Sequence, residues 1–327
     1  MDYEICLEPS GIRFAAGAEQ SIVAAALAQG IPLQHGCGNG SCGDCKGTIL
    51  EGEGEQGPFM PLLLTPAERA AGMAILCKLR PRSPMRIRAS VQEAGQWTAA
   101  VTALTPLAWN VLELHLQPER PYPYRAGQYA RLAVPGAAGE WRSYSMATPP
   151  RADGTLVFHI RELPGGRFSQ WLFHAAHLGD TLQLAGAQGE FFLRQDNERP
   201  LLCIAAGTGL APIEAILQES MALGWERPIH LFYGARRRPD FYHLPVLEDW
   251  ARQHPHLRLT PTLSDAEDRD WAGARRLLPS VTASGHWRDH EVYLCGSPGM
   301  IEAAIDLLLS HQVQHEQIHF DAFAPNG

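Results

Sequence analysis

No segment of the chain is apolar for long enough to cross a bilayer. The longest candidate, residues 200–217 (PLLCIAAGTGLAPIEAIL), is interrupted by Gly207, Gly209, Pro212 and Glu214, whereas a spanning helix needs about 20 apolar residues in succession. An apolar leader is also missing. The opening MDYEICLEPSGIRF carries charges where a secretory signal would have its apolar core. Basic runs are scarce, and the net charge of −8 argues against nucleic acid as the main partner. Internal repeats and low-complexity tracts are absent. These absences read as a cytoplasmic protein with neither a membrane nor a nucleic-acid partner. At 45% hydrophobic and 19% charged residues over 327 positions, the chain is long enough and apolar enough for two to three folded domains.

Cysteine is not scarce. Seven are present, and four of them, Cys37, Cys42, Cys45 and Cys77, fall within 41 positions. In a cytoplasmic chain such a cluster points to metal or redox chemistry before disulfides. The first three lie in HGCGNGSCGDCKG, among glycines that let a backbone wrap closely and aim N–H groups at sulfur. The spacing C-x4-C-x2-C with a distant fourth cysteine is that of a plant-type [2Fe–2S] site. A zinc site usually shows two CxxC-like pairs, and here the second pair is lacking. A Rieske centre needs two histidines in ligand positions; His35 precedes the loop, but no partner follows in the required place. Cys6 and Cys203 sit in apolar strand-like segments and read as small core residues.

The periodicity divides the chain in three. Residues 1–92 read as a small α+β unit. It has strands at 2–7 and 12–16, a helix from Ser21 to Gly30, a strand over KGTILEG, a helix capped by Thr65, and closing strands AILCKLRP and MRIRASV. Residues 92–96 read as a linker. Residues 97–196 hold many short alternating segments separated by turns, with one helical stretch, FSQWLFHAAH, which predicts an antiparallel β-barrel. From about Arg199 strands alternate with helices, so residues 197–327 predict a doubly wound parallel α/β sheet.

Three further motifs carry chemistry. RSYS offers Arg142 and Tyr144 on one face of a strand and Ser145 on the other; alone it is an ordinary strand tetrapeptide. PGGRFSQWL places Gly165 and Gly166 ahead of a helix, which suits a phosphate and equally a plain turn with Ser169 as a cap. LLCIAAGTGLAPIEAIL is strand, Gly-rich turn and helix. Gly207 and Gly209 match the first two glycines of a dinucleotide fingerprint, and Pro212 stands where the third would be. Arg236, Arg237 and Arg238, ahead of Asp240, would meet a 2′-phosphate or form a solvated loop. YLCGSPGM repeats the strand–turn–helix pattern, with Cys295 at the strand end where ligands sit in open α/β sheets, or as a buried thiol.

Taken together, these motifs resemble the NAD(P)H-dependent iron–sulfur flavoprotein reductases. Those are the reductase components of bacterial ring-hydroxylating dioxygenases and multicomponent monooxygenases; CDP-6-deoxy-glucoseen reductase is closely similar. The likeness covers essentially the whole chain. It implies a [2Fe–2S] cluster on Cys37, Cys42, Cys45 and Cys77, bound FAD, and NADH, with NADPH left open by the three arginines. It places Arg142 on the FAD pyrophosphate, Tyr144 against the flavin and Ser145 near flavin N5. It implies FAD contacts from the backbone of His159 and Ile160 and from the turn Gly166, Arg167, Phe168 and Ser169. Gly207, Thr208, Gly209, Pro212, Arg236 and Gly296 would hold the nicotinamide dinucleotide, Cys295 would lie near its reactive carbon, and Phe320 or Phe323 would shield the flavin. One departure is Ala187, where the family has proline. The implied activity is electron supply from NADH to a partner oxygenase, or alternatively to a sugar-deoxygenating enzyme.

Overall fold

Residues 2–91, 95–137, 139–265 and 268–323 are described by the computed structural model. They fall into two units, one reaching Gly95 and the other spanning Gln96–Phe323. The linker expected at 92–96 lies largely outside the described residues, and Gln96 already opens a strand. Among the described residues no helix is long and apolar enough to cross a membrane.

In the first unit β1 (Asp2–Glu8) and β2 (Arg13–Gly17) form a hairpin. The Oγ of Ser21 accepts from the Ala24 amide at 3.2 Å and starts α1 (Ile22–Ala28), which buries Ile22, Val23, Ala25 and Ala26. After β3 (Lys46–Glu51) and β4 (Gly54–Gln56) comes α2 (Pro66–Ala70). Thr65 accepts from the Glu68 amide and Glu68 from the Thr65 amide, a reciprocal cap worth about 1 kcal/mol. The stretch AILCKLRP does not form one strand. It breaks into β5 (Met73–Ile75) and β6 (Leu79–Pro81) around a turn that carries Cys77. With β7 (Met85–Arg88) the main sheet has the order β2-β1-β7-β3-β5, β1 and β7 running parallel. β4 and β6 pair separately.

The second unit begins with β8 (Gln96–Ala108), β9 (Val111–Pro118), β10 (Tyr129–Ala133), β11 (Trp141–Ser145) and β12 (Leu156–Arg161). Then follow α3 (Arg167–His174) and β13 (Thr181–Gln188). The strands form an antiparallel sheet of order β11-β10-β13-β8-β9-β12, and a Met146–Phe158 bridge brings its two ends together. Inward residues such as Leu114, Leu132, Phe158, Ile160 and Leu184 fill the barrel.

The remaining elements are β14 (Leu201–Ala206), α4 (Leu210–Ala222), β15 (Ile229–Ala235), α5 (Leu244–Gln253), β16 (Leu257–Leu263), β17 (Ala274–Arg275), α6 (Leu277–Ser284), β18 (Glu291–Gly296), α7 (Pro298–Ser310) and β19 (Ile318–Ala322). Their six strands are all parallel, in the order β17-β16-β15-β14-β18-β19. β15 is buried at every position, as a strand covered on both faces requires. The order reverses between β14 and β18, which puts the ligand crevice at their C-terminal ends. Sequence periodicity did not show β17, α6 or β19. β17 is two residues long, α6 contains Pro279 and β-branched residues, and β19 follows a polar turn near the C-terminus. The Trp109 indole donates to Asp240 at 2.9 Å and the Gln218 amide to the Ala147 carbonyl at 3.2 Å, so hydrogen bonds join the barrel to the α/β layer.

Candidate active site

The four predicted cluster cysteines come together as two pairs. The thiols of Cys37 and Cys42 are hydrogen-bond partners, as are those of Cys45 and Cys77. All four are free of disulfides. Backbone amides point at the sulfurs: Ser41 N–H to Cys37 Sγ and Cys37 N–H to Cys42 Sγ at 3.3 Å, and Cys77 N–H to Cys45 Sγ at 3.5 Å. The Cys42 thiol, helped by the hydroxyl and amide of Ser41, holds Cys37 down to about 4, against the cost of burial. Cys77 is lowered in the same way by Cys45, while Cys42 and Cys45, as the donors, are raised. Gly40 sits at φ +85°, and a Cβ there would lie 3.0 Å from Phe59 and 3.1 Å from Lys78, so only glycine passes the loop at that point. Two sulfur pairs ringed by amide donors fit a [2Fe–2S] cluster, whose irons each take two thiolates.

In the second unit the flavin motifs meet. Tyr144 on β11 lies 5.1 Å from Phe168 on α3, ring to ring, and burial keeps its phenol raised and neutral. Arg167 and Arg142 converge on Glu140, at 2.6 and 3.6 Å. α3 starts at Gly166 with no side-chain cap. Ser169 is not the cap; its Oγ accepts from the Leu163 amide at 3.1 Å and donates to the Gly166 carbonyl at 3.1 Å, bracing the turn from inside. The helix amides therefore stay available to an anion, beside two guanidiniums. Residues suited to a flavin pyrophosphate thus occupy one place. On β12, Ile160 points into the barrel core, whereas the side chain of His159 turns outward to Glu113 and Glu214.

Ser145 is buried, and its Oγ donates to Asp321 Oδ2 at 3.1 Å. Asp321 is on β19, opposite Cys295 on β18. The Cys295 thiol is fully buried, which pushes it well up, and the Asp321 carboxylate adds to that shift. Asp321 thus links the two residues expected at the reacting atoms, and no local signal marked it. Alternation along β19 puts Phe320 on the face opposite to Asp321. The Phe323 amide donates to the Gly296 carbonyl, and its ring packs against the core of the α/β layer.

The nicotinamide turns pack against each other. A Cβ on Gly209 would come within 2.3 Å of the Cys295 carbonyl oxygen, and one on Gly296 within 2.4 Å of Met300. Gly207 turns at φ +56° ahead of α4, and Pro212 lies in the first turn of that helix. Beside them opens a cavity of about 280 Å³ lined by Gly207, Thr208, Arg236, Asp240, Ser264 and Arg161. Arg237 pairs with Asp240 at 3.1 Å and Arg238 with Asp268 at 2.7 Å. Of the triple, only Arg236 both lines the cavity and has no ion pair among the described residues. Arg161, beside Gly207, was not singled out from sequence.

Three family models match the chain in this order: a 2Fe-2S iron-sulfur cluster binding domain over residues 5–82, an oxidoreductase FAD-binding domain over 99–193, and an oxidoreductase NAD-binding domain over 203–306. The chain is 32% identical to the reductase component of phenol 2-monooxygenase from Pseudomonas sp. (strain CF600), covering 99% of this chain and 95% of that one. Among solved structures it is similar to an Amycolatopsis cytochrome P450 reductase, with a TM-score of 0.74 and 31% identity over 99% of both chains. It is also similar to the ferredoxin reductase of carbazole 1,9a-dioxygenase, with a TM-score of 0.72 and 31% identity over 99% of both chains. A cysteine loop built for two irons, a flavin barrel, a nicotinamide crevice and this full-length likeness place the chain among the NAD(P)H-dependent iron–sulfur flavoprotein reductases.

Proposed function

We propose that the chain supplies electrons from NADH to a terminal oxygenase. Ferredoxin-type residues 1–92, flavin-barrel residues 97–196 and nicotinamide-domain residues 197–327 would share the work. The observation that carries the reading is the pairing of Cys37 with Cys42 and of Cys45 with Cys77 under backbone amides. A plain flavin reductase has no use for such a loop.

Bound FAD would supply the conversion between two-electron hydride chemistry and the one-electron chemistry of an iron–sulfur centre. The side chains prepare for that. Arg142, Arg167 and the uncapped α3 terminus bind pyrophosphate charge, and Tyr144 offers a neutral aromatic face. Ser145 presents a hydroxyl whose proton is held by Asp321, so its orientation at the flavin edge is set in advance. Cys295 remains a neutral thiol and excludes water from the crevice floor. Gly207, Thr208 and Gly209 let the dinucleotide backbone approach α4 closely. Phe320 or Phe323 would shield the flavin.

Cys42→Ser tests the scheme in cofactor-loaded protein. Iron content should collapse while NADH oxidation with a flavin-level acceptor such as ferricyanide persists, and reduction of a one-electron protein acceptor should be lost. If iron survives the change, the ligand assignment fails. The acceptor itself is identified by coupling assays against oxygenase components encoded beside the gene. Coupling to a sugar-deoxygenating enzyme in their place would overturn the oxygenase reading.

A further inference from the structure

The face of β12 turned away from the barrel core carries a cluster that the electron path does not use. The side chain of His159 is 2% exposed and lies between two carboxylates. Its Nε2 is 3.4 Å from Glu113 Oε2 on β9. Its Nδ1 has no hydrogen-bond partner among the described residues and faces Glu214 Oε2 on α4 at 3.7 Å. His243, just ahead of α5, places its Nδ1 3.1 Å from the same Glu214 oxygen. The two imidazoles meet edge-on with centroids 4.8 Å apart. One donor atom each from Glu113, His159 and His243 lies within 4.8 Å of the other two.

We propose that Glu113, His159 and His243 form a binding site for a divalent transition-metal ion of the zinc class, joining the barrel to the α/β layer. Three observations support it. The first is orientation. Glu214 faces the Nδ1 side of both imidazoles, which leaves both Nε2 atoms for a metal; a carboxylate behind each ligating histidine is the usual outer support. His115 Nε2, 2.7 Å from Glu113 Oε1, braces the third ligand in the same manner. The second is spacing. Two ligands on a tetrahedral zinc, each at about 2.0–2.1 Å, stand roughly 3.4 Å apart; His159 Nε2 and Glu113 Oε2 already have that separation, and the full donor set, within 4.8 Å, needs only a small inward shift to close on the ion. The third is charge. Glu214 is almost wholly buried and Glu113 half-buried, and buried carboxylates are costly without a cation. A divalent ion balances both while the imidazoles stay neutral. A two-histidine, one-carboxylate set leaves a fourth position for water.

The test uses full-length protein carrying its FAD and iron. After dialysis against micromolar free zinc, metals are counted per chain by mass spectrometry. Wild type should hold about one zinc with its iron unchanged; constant iron rules out exchange at the cysteines. His243→Asn keeps a residue that tolerates the left-handed backbone at φ 56° and should lose the zinc. Glu214→Gln should weaken binding by about 10–100-fold. Anomalous diffraction at the zinc edge from wild-type crystals should place the ion between the three side chains, which decides the matter even where a variant fails to fold. No zinc beyond the iron, zinc located elsewhere, or undiminished binding in His243→Asn would overturn the proposal.

Discussion

Ser145 and Asp321 are 176 positions apart, yet the hydroxyl of one donates to the carboxylate of the other at 3.1 Å. The bond ties the last residue of β11 to the last strand of the parallel sheet, so the hydroxyl is oriented by the neighbouring layer. Removing a partner from a buried polar pair costs about 1–3 kcal/mol. Asp321→Asn and Ser145→Ala should therefore each slow flavin reduction by NADH roughly 5–150-fold, read by stopped flow at the flavin absorbance, with little change in FAD content. Equal rates in wild type and both variants would place the flavin edge elsewhere.

Gly209 has no room for a side chain, because a Cβ would meet the Cys295 carbonyl at 2.3 Å. Gly209→Ala should destabilise the second unit by about 1–3 kcal/mol through overpacking and raise the KM for NADH by forcing the two turns apart. Iron content should be untouched. A variant with unchanged Tm and KM would show that the turns slide freely.

Among the three consecutive arginines only Arg236 both faces the cavity and lacks an ion pair among the described residues. A 2′-phosphate bound there would gain a charge-assisted contact worth about 1.5–3 kcal/mol. Arg236→Ala should cut kcat/KM with NADPH by about tenfold or more and change it less with NADH. An equal loss with both would assign Arg236 to the shared part of the dinucleotide.

His230 shares a 2.8 Å hydrogen bond with Thr260 Oγ1 and stacks on Phe232 at 4.0 Å. Burial lowers it to about 4, from an ordinary 6.5. The unfolded chain then binds more protons than the folded one between those values. The stability present above pH 6.5 is lost as pH falls towards 4, by an amount on the order of 2 kcal/mol. Thermal unfolding across that range should show a falling Tm in wild type and a shallower fall in His230→Gln. Identical profiles would assign the acid sensitivity to other groups.

What sequence made legible was local. The cysteine spacing, the Thr65 and Ser21 caps and the Gly207–Gly209 turn all lie within a few residues of the features they predict. The break at Cys77 was not legible, since AILCKLRP has a uniform strand character. The chain turns there because the Cys77 amide reaches Cys45 Sγ and two short ladders take the flanks. Asp321 carries no local signal in the sequence; the pairing of β18 with β19 puts it opposite Cys295. Glu113, His159 and Glu214 come from β9, β12 and α4 and His243 from the turn ahead of α5, and no window of sequence contains them together.

The Cys45–Cys77 pair has a consequence for biogenesis. These residues are 32 positions apart, and β3, α2 and β5 lie between them. Whatever grips both sulfurs closes that stretch into a ring, as a cross-link does, and strips freedom chiefly from the unfolded chain. Maturation of the metal centre and consolidation of this segment are then one event, and a protease should find its cuts there before iron is delivered and not after.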